Sequence, residues 1–442
     1  MRFTIQQLLS AVIFACAVFA QSLVADELAE AVEEDYDQYL GALYEHFHRN
    51  PELSSMEVQT AARLAKELRA AGFDVTEGVG GTGIVAMLKN GPGPLVMMRA
   101  DMDGLPVPEK SGLPYASKAT QIDWDGNEVP VMHACGHDVH ITSLVGTARV
   151  MAASKSTWSG TLMLVGQPAE ERVGGARRMM ADDIWERFGQ PDYAMAFHVS
   201  SGTPTGKLVA TPGPTMSGAD TVDIIVHGIG AHGASPHRGV DPIVLGSQIV
   251  LALQTVVSRD LAPREAGVIT VGSFHSGTKH NIISAVAPLQ LPVRKDNLET
   301  RKVLLEGITR VAENRGRVAG LPDDLLPTVI VLDEGVPPTL NDHKLTQRLR
   351  EVWSNAFGEN VLQYEKRDGM GAEDFSFFTT EPYIPSTYFS VGGTPQTDFD
   401  AEEAGGTPVP SHHSPLFKVN GEESVRLGVE ATVHALRDLL QE

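Results

Sequence analysis

The sequence predicts an α/β protein: a doubly wound, mostly parallel sheet domain carrying an inserted two-layer α+β unit. Three observations lead there. Near-continuous apolar runs recur along the chain, among them TGIVAMLK, PLVMMRA, GTLMLVG, YAMAFHV and STYFSVGG. Helical stretches such as ITSLVGTARVMAAS and EESVRLGVEATVHALRDLL separate most of these runs. Strands that are apolar on both faces and alternate with helices belong to a sheet covered on both sides. The middle of the chain follows a different rhythm, treated below.

The chain has 442 residues, 42% hydrophobic and 21% charged, enough for two domains of common size. Its net charge of −21, from 56 acidic and 35 basic residues, excludes a nucleic-acid partner, because phosphate neutralisation needs clustered Lys and Arg.

In chain order, Arg2 precedes a run from Leu8 to Ala20 without a charged residue, followed by small residues and an acidic stretch. That run is too short to span a bilayer and reads as a secretory signal, cleaved after Ala20 or Ala25. Residues 1–25 are therefore expected to be removed from an exported protein, periplasmic or secreted, with no membrane span. Cys135 is then the only cysteine left, in a compartment where thiols oxidise. From Glu27 to Gly72 the pattern is helical, and EVQTAARLAKELRAAG ends on a glycine stop.

In the middle, TVDIIVHG alternates as a half-buried strand and DPIVLGSQIVLALQTVVSR reads as a long helix. Strands GVITVGSF and APLQLPVR, the helix ETRKVLLEGITRVAENRG and the strand TVIVLDEG complete a β-α-β-β-α-β unit. The expected organisation is a main domain over 26–216 and 335–442, interrupted by a satellite over 217–334.

The polar clusters follow the strands of the main domain. PLVMM runs into RADMDGLP, TLMLVG into QPAEE and AMAF into HVS, while HACGHDVH opens a helix. Open α/β sheets bind ligands at the carboxyl ends of their strands, so these segments are expected to converge. Glu170 and Glu171 are adjacent, and their carboxylates point different ways: one can bind a metal while the other holds a proton. Two solvated loop glutamates are the plainer reading of an isolated pair. Thiolate, imidazole and carboxylate are ligands that zinc and its first-row neighbours accept. Cys135 and His137, two apart, aim the same way in an extended segment. His133 and His140 are either hydrogen-bonding supports or surface histidines, and Asp138 is placed to orient an imidazole. Cys135 as a nucleophile with a histidine base is the rival reading. It would leave a reactive thiol open to oxidation, which a metal-held thiolate avoids.

RADMDGLP, HACGHDVH, GQPAEE, FHV, GAHGASPHRGVDP, GAEDFSFF and HHSPLF recur in this order in peptidase family M20. The chain resembles that family from about Tyr39 to Leu440, above all its amidohydrolase branch of hippurate, N-acyl-amino-acid and indoleacetyl-amino-acid hydrolases. The resemblance implies a catalytic domain holding two divalent metal ions, zinc or manganese, and a lid domain used for homodimerisation. It implies Cys135, His137, Glu171, His198 and His413 as metal ligands, and Glu170 as general base. Asp103 matches a supporting aspartate, and Asp101 stands where the peptidase branches carry a metal-binding histidine. In the lid, His232 corresponds to a histidine that polarises the substrate carbonyl across the dimer, and Asn281 and Arg294 to substrate contacts. Pro292 departs from the family's strand pattern, since proline suits only an edge or a bulge. The implied substrate is a small N-acyl amino acid, hydrolysed to a carboxylic acid and a free amino acid. A metallo-dipeptidase or carboxypeptidase is the alternative.

Overall fold

The strand Leu95–Asp101 sits near the middle of a seven-stranded sheet, and the order of its neighbours accounts for the architecture of the first half of the molecule. The computed structural model describes residues 27–364, 367 and 369–441; the export segment expected over 1–25 lies outside them. Across the sheet the order is Asp74–Val79, Gly83–Asn90, Gly160–Gln167, Leu95–Asp101, Tyr193–Pro204, Ser386–Thr394 and Leu208–Val209. The four strands from Gly160–Gln167 to Ser386–Thr394 run parallel, and antiparallel strands flank them at both edges. The fold class read from the sequence is the one observed.

The parallel strands are apolar on both faces because helices cover them. In the helix His137–Ala153, residues 137 to 148 are all buried, so it runs through the core rather than along the surface. The helix Gly421–Leu439 lies against it at a distance only glycine permits. A Cβ on Gly428 would meet Ser143 Oγ at 2.8 Å, and one on Gly146 would meet Val429 Cγ2 at 2.5 Å. Asn420 starts that last helix by accepting a hydrogen bond from the Glu423 N–H at 3.3 Å.

The chain divides into two units: residues up to 213 with 341–366 and 378–442, and residues 214–340 with 367–377. The sequence reading left 335–340 and 367–377 in the main domain. Hydrogen bonds tie these stretches to the second unit: Ser217 N–H to Gly371 O at 2.7 Å and Ala219 N–H to Val336 O at 3.0 Å.

The second unit is an antiparallel sheet in the order Gly267–Ile269, Val286–Lys295, Gly218–His227 and Thr328–Val331, with helices Pro242–Thr255 and Leu298–Val318. Gly218–His227 alternates buried and half-buried along its length, the period of a sheet with one face on a core. The predicted strand GVITVGSF is split into Gly267–Ile269 and Ser273–Phe274, and Pro292 explains the break. Pro292 O accepts from Thr270 N–H at 3.2 Å, so the proline nitrogen, which has no hydrogen, also faces that side. The neighbouring strand is interrupted where a donor is missing, and the proline is accommodated in a central strand.

Beneath the sheet, Lys295 and Asp220 are almost completely buried and paired at 2.8 Å, with Arg301 reaching the same carboxylate at 2.9 Å. The segment Pro242–Asp260 is long and apolar enough to cross a membrane by length and composition. It packs Leu245, Ile249 and Leu253 into the core of this unit and leaves Ile243, Val244 and Leu251 exposed.

Candidate metal centre

Five chain segments meet where the parallel strands of the first unit end. Leu95–Asp101 delivers Asp101 and, two residues on, Asp103; Gly160–Gln167 leads through Pro168 and Ala169 to Glu170 and Glu171. Tyr193–Pro204 carries His198 just beyond its last pairing with Leu95–Asp101, Arg99 with Ala196. HACGH turns into the buried helix through Gly136, at φ 84°, where a Cβ would meet Val199 Cγ1 at 2.3 Å. The fifth segment, SHHSP, is pinned beside it by a hydrogen bond from His413 N–H to Ala134 O at 2.9 Å.

The ligating atoms fall into overlapping groups: Cys135, His137 and His198; Cys135, Glu171 and His413; His137, Glu170 and Glu171. Within each group the atoms lie within 4.8 Å of one another. Cys135 Sγ is 3.3 Å from His198 Nε2, and His413 Nε2 is 3.4 Å from Glu171 Oε2. His137 Nε2 is 3.9 Å from both Glu170 Oε2 and Glu171 Oε1. Thus Cys135, His137, Glu170, Glu171, His198 and His413, expected from the sequence to work together, are adjacent in space. His232, Asn281 and Arg294 belong to the second unit.

The donor chemistry fits a divalent cation. His198 Nδ1 lies 2.6 Å from Val199 O, which only accepts, so the ring hydrogen is there and Nε2 turns a bare lone pair toward the sulfur. The neutral thiol can donate its hydrogen to that lone pair, and with the thiol deprotonated the same two atoms would be neighbouring ligands of one cation. Tetrahedral zinc with ordinary Zn–S and Zn–N bonds has a sulfur–nitrogen edge of roughly 3.5 Å. His137 Nε2 and Glu171 Oε1 are buried without a hydrogen-bond partner.

The electrostatics agree. Burial alone would lower the His137 pKa, but the carboxylates of Asp101, Asp103 and Glu171 raise it to about 10. The cluster therefore binds a proton where it lacks a stronger cation. Burial and the same acidic neighbours, Glu171, Glu170 and Asp101, push the Cys135 thiol well above its usual range. A cysteine acting as a nucleophile needs the opposite shift, so the rival reading loses its footing.

The supporting groups are more committed than the sequence reading foresaw. Asp103 accepts from the backbone N–H groups of Glu170 and Glu171 at 3.1 and 3.0 Å and from Ser54 Oγ at 2.6 Å. It also faces His137 Nδ1 at 3.3 Å. Glu57, which the sequence reading passed over, accepts from Ala169 N–H at 2.8 Å and Thr82 Oγ1 at 2.5 Å. Ala169 has φ 49°, a strained value for a residue with a Cβ, so two buried carboxylates hold the turn that presents the glutamate pair. Burial first, then Asp103, raises the Glu57 pKa to about 7.

Asp101 is engaged by Arg99 at 2.7 Å and by His140 Nδ1 at 2.5 Å, and His140 Nε2 accepts from Val199 N–H at 2.9 Å. His140 is thus a buried link to the strand bearing His198, not a surface histidine. Asp138 does orient an imidazole, but that of His48, at 2.6 Å, outside the ligand cluster. Glu109 holds the other nitrogen of His48 at 3.1 Å, and buried His133 has no hydrogen-bond partner.

In the second unit His232 is exposed on a two-stranded ribbon, opposite Ile282. Its Nδ1 accepts from Ala234 N–H at 3.0 Å, which puts the ring hydrogen of the neutral form on Nε2. Asn281 is beside it, its carbonyl accepting from Gly233 N–H at 2.8 Å, and its Oδ1 is buried without a partner. Arg294 stands apart from this ribbon on the central strand, opposite Ala219 and Val268.

Comparison with known proteins adds an independent line. The profile of "Peptidase family M20/M25/M40" matches residues 97–433. Hippurate hydrolase of Campylobacter jejuni is 36% identical over 332 residues, 75% of this chain and 82% of that protein. Thermostable carboxypeptidase 2 of Saccharolobus solfataricus is 34% identical, covering 93% of this chain and 98% of its own. Among solved structures, a chain from methicillin-resistant Staphylococcus aureus superposes with a TM-score of 0.83 at 30% identity, covering 94% of this chain and 100% of that one. A Bacillus subtilis protein described as a dinuclear metal-binding peptidase gives 0.75 at 25% identity, covering 92% and 99%.

Proposed function

The chain belongs to peptidase family M20/M25/M40 and is a hydrolase of amide bonds, and on that premise we propose that it is an exported, metal-dependent amidohydrolase acting on N-acyl amino acids. The observation that carries this reading is the convergence of Cys135, His137, Glu171, His198 and His413 around unpaired buried donors, with Glu170 at its edge.

Those five residues would hold two divalent ions, zinc or manganese, both compatible with mixed nitrogen, oxygen and sulfur donors. Such ions supply Lewis acidity toward an amide carbonyl and make water a nucleophile near neutral pH. The chain's own residues do the rest. Glu170 takes the proton of the attacking water and returns it to the leaving amine. Asp103 and Glu57 keep the backbone beneath Glu170 from relaxing during that transfer. By the resemblance, His232 would polarise the substrate carbonyl across the dimer, with the Nε2–H of its neutral ring as the donor. Asn281 would contact the substrate carboxylate, and Arg294, which stands apart from it on the central strand, would make a separate substrate contact. The products are a carboxylic acid and a free amino acid.

Export rests on the uncharged run from Leu8 to Ala20 behind Arg2. Homodimerisation through the second unit is supported by its exposed apolar side chains, Ile243, Val244 and Leu251 on one helix and Ile330 and Val331 on an edge strand. The carboxypeptidase reading retains one specific support, since the Saccharolobus relative aligns over more of the chain than the Campylobacter one. A panel of N-acyl amino acids, hippurate included, assayed beside blocked dipeptides on metal-reconstituted protein decides between them. Preference for the acyl amino acids, abolished by a chelator and restored by metal, is expected. Turnover confined to peptides, or indifferent to chelation, would overturn the reading.

A further inference from the structure

We propose that His412, immediately before the expected ligand His413, is a positioning residue that donates a hydrogen bond to the Cys135 sulfur and tunes it as a metal-binding thiolate. The proposal rests on the metal reading given above and concerns a residue to which that reading assigns nothing.

Two imidazoles touch the same sulfur: His198 Nε2 at 3.3 Å and His412 Nδ1 at 3.7 Å. What each ring does with its other nitrogen gives the two contacts opposite meanings. The hydrogen of His198 is on Nδ1, held by Val199 O, so its Nε2 has only a lone pair for whatever lies beside the sulfur. In His412 the far nitrogen is the acceptor, because Nε2 takes the N–H of Ser201 at 3.2 Å. The hydrogen of the neutral ring is then on Nδ1, and Nδ1 faces sulfur. In the first contact the ring offers the sulfur only a lone pair, so the two atoms are neighbouring candidate ligands; the second is an N–H···S hydrogen bond.

The ring of His412 is held in this pose. Phe417 stacks on it at 4.8 Å between centroids, tilted by 38°, and His198 meets it edge-on at 5.2 Å. The backbone separates the two neighbouring histidines: at φ 65°, His413 turns toward Glu171 while His412 stays with Cys135. A hydrogen bond drains charge from a thiolate and stabilises it against protonation, so His412 keeps Cys135 in its metal-binding form and fixes where its lone pairs point. Partners of this kind behind a ligand are commonly worth about 10–100-fold in metal affinity.

Two isosteric variants separate donor from acceptor. In His412→Asn the side-chain amide falls near Nδ1 and can still donate to sulfur, while the acceptor for Ser201 is lost. In His412→Gln the amide falls near Nε2, so Ser201 keeps its acceptor and sulfur loses its donor. The readout is the near-ultraviolet thiolate-to-cobalt charge-transfer band of the cobalt(II)-loaded full-length protein, together with cobalt equivalents bound and retained against a competing chelator. Wild type and His412→Asn are expected to share one band position. His412→Gln should bind the same number of equivalents, shift the band to longer wavelength and hold cobalt about 10-fold less tightly. An unmoved band in His412→Gln overturns the proposal and leaves the metal reading intact. Loss of a cobalt equivalent in both variants also overturns it, by making His412 a ligand. A wild-type protein that takes up cobalt without any thiolate band removes Cys135 from the metal and so defeats both readings.

Discussion

The two units keep their histidines under opposite conditions. His137 and His140, at the sheet end of the first unit, are fully buried, and His140 has both nitrogens engaged. His232, in the second unit, is exposed on a two-residue strand and held by one local hydrogen bond. Candidate ligands that would have to hold fixed distances to one another are locked by partners from several segments, whereas His232, proposed to meet a substrate, rests on a turn. The contrast predicts that damage to the first centre costs as much turnover as damage to the second or more, and that only the first centre governs metal content.

The largest effect tests the first half of that contrast. Glu170→Gln should retain bound metal and lose turnover by about 10²–10⁴-fold, the usual worth of a general base; near-wild-type rates would end its assignment. His232→Ala tests the other half. It should leave metal content unchanged and lower kcat by about 10²–10³-fold, the range seen when one oxyanion donor is removed. A loss of metal in that variant would show that the two sets of histidines are not separable.

Stability sharpens the comparison further. Asp220→Ala strands Lys295 without its partner inside the second unit, which should destabilise that unit by about 3–5 kcal/mol. Lys295→Met combined with Asp220→Leu should recover most of the loss, read as the denaturation midpoint; no recovery would mean the pair does more than neutralise itself.

The smallest effect is a pH dependence in the first unit. Burial works against a charged His48, but its hydrogen bonds to the accepting carboxylates of Asp138 and Glu109 prevail and raise its pKa to about 9 from an ordinary 6.5. A raised folded value means that its stabilisation is complete below about pH 6.5 and is lost as pH rises through about 9. The slope over that window is at most ~1.4 kcal/mol per pH unit. Wild type should therefore lose stability relative to His48→Gln between those values, and parallel melting curves would count against a charged His48.

Much of this was legible in the sequence, for identifiable reasons. Apolar runs and helices alternate because a parallel sheet must be covered on both faces, and polar clusters follow the strands because the strands end there. The unread parts depend on pairings between distant positions. Glu57 works on Ala169, 112 residues away, and Asp138 on His48, 90 residues away, and no local period reveals either. The break at residues 270–272 answers a proline on the neighbouring strand. The doublet His412–His413 was visible, but which ring faces sulfur follows from a positive φ that the letters do not announce.

The central claim is that Cys135, His137, Glu171, His198 and His413 together hold two divalent ions. Anomalous diffraction from crystals of the protein loaded with manganese or zinc tests it most directly. Two peaks are expected, roughly 3.5–4 Å apart, each within bonding distance of members of this set. No peak there, or peaks only at other carboxylates, would contradict the account.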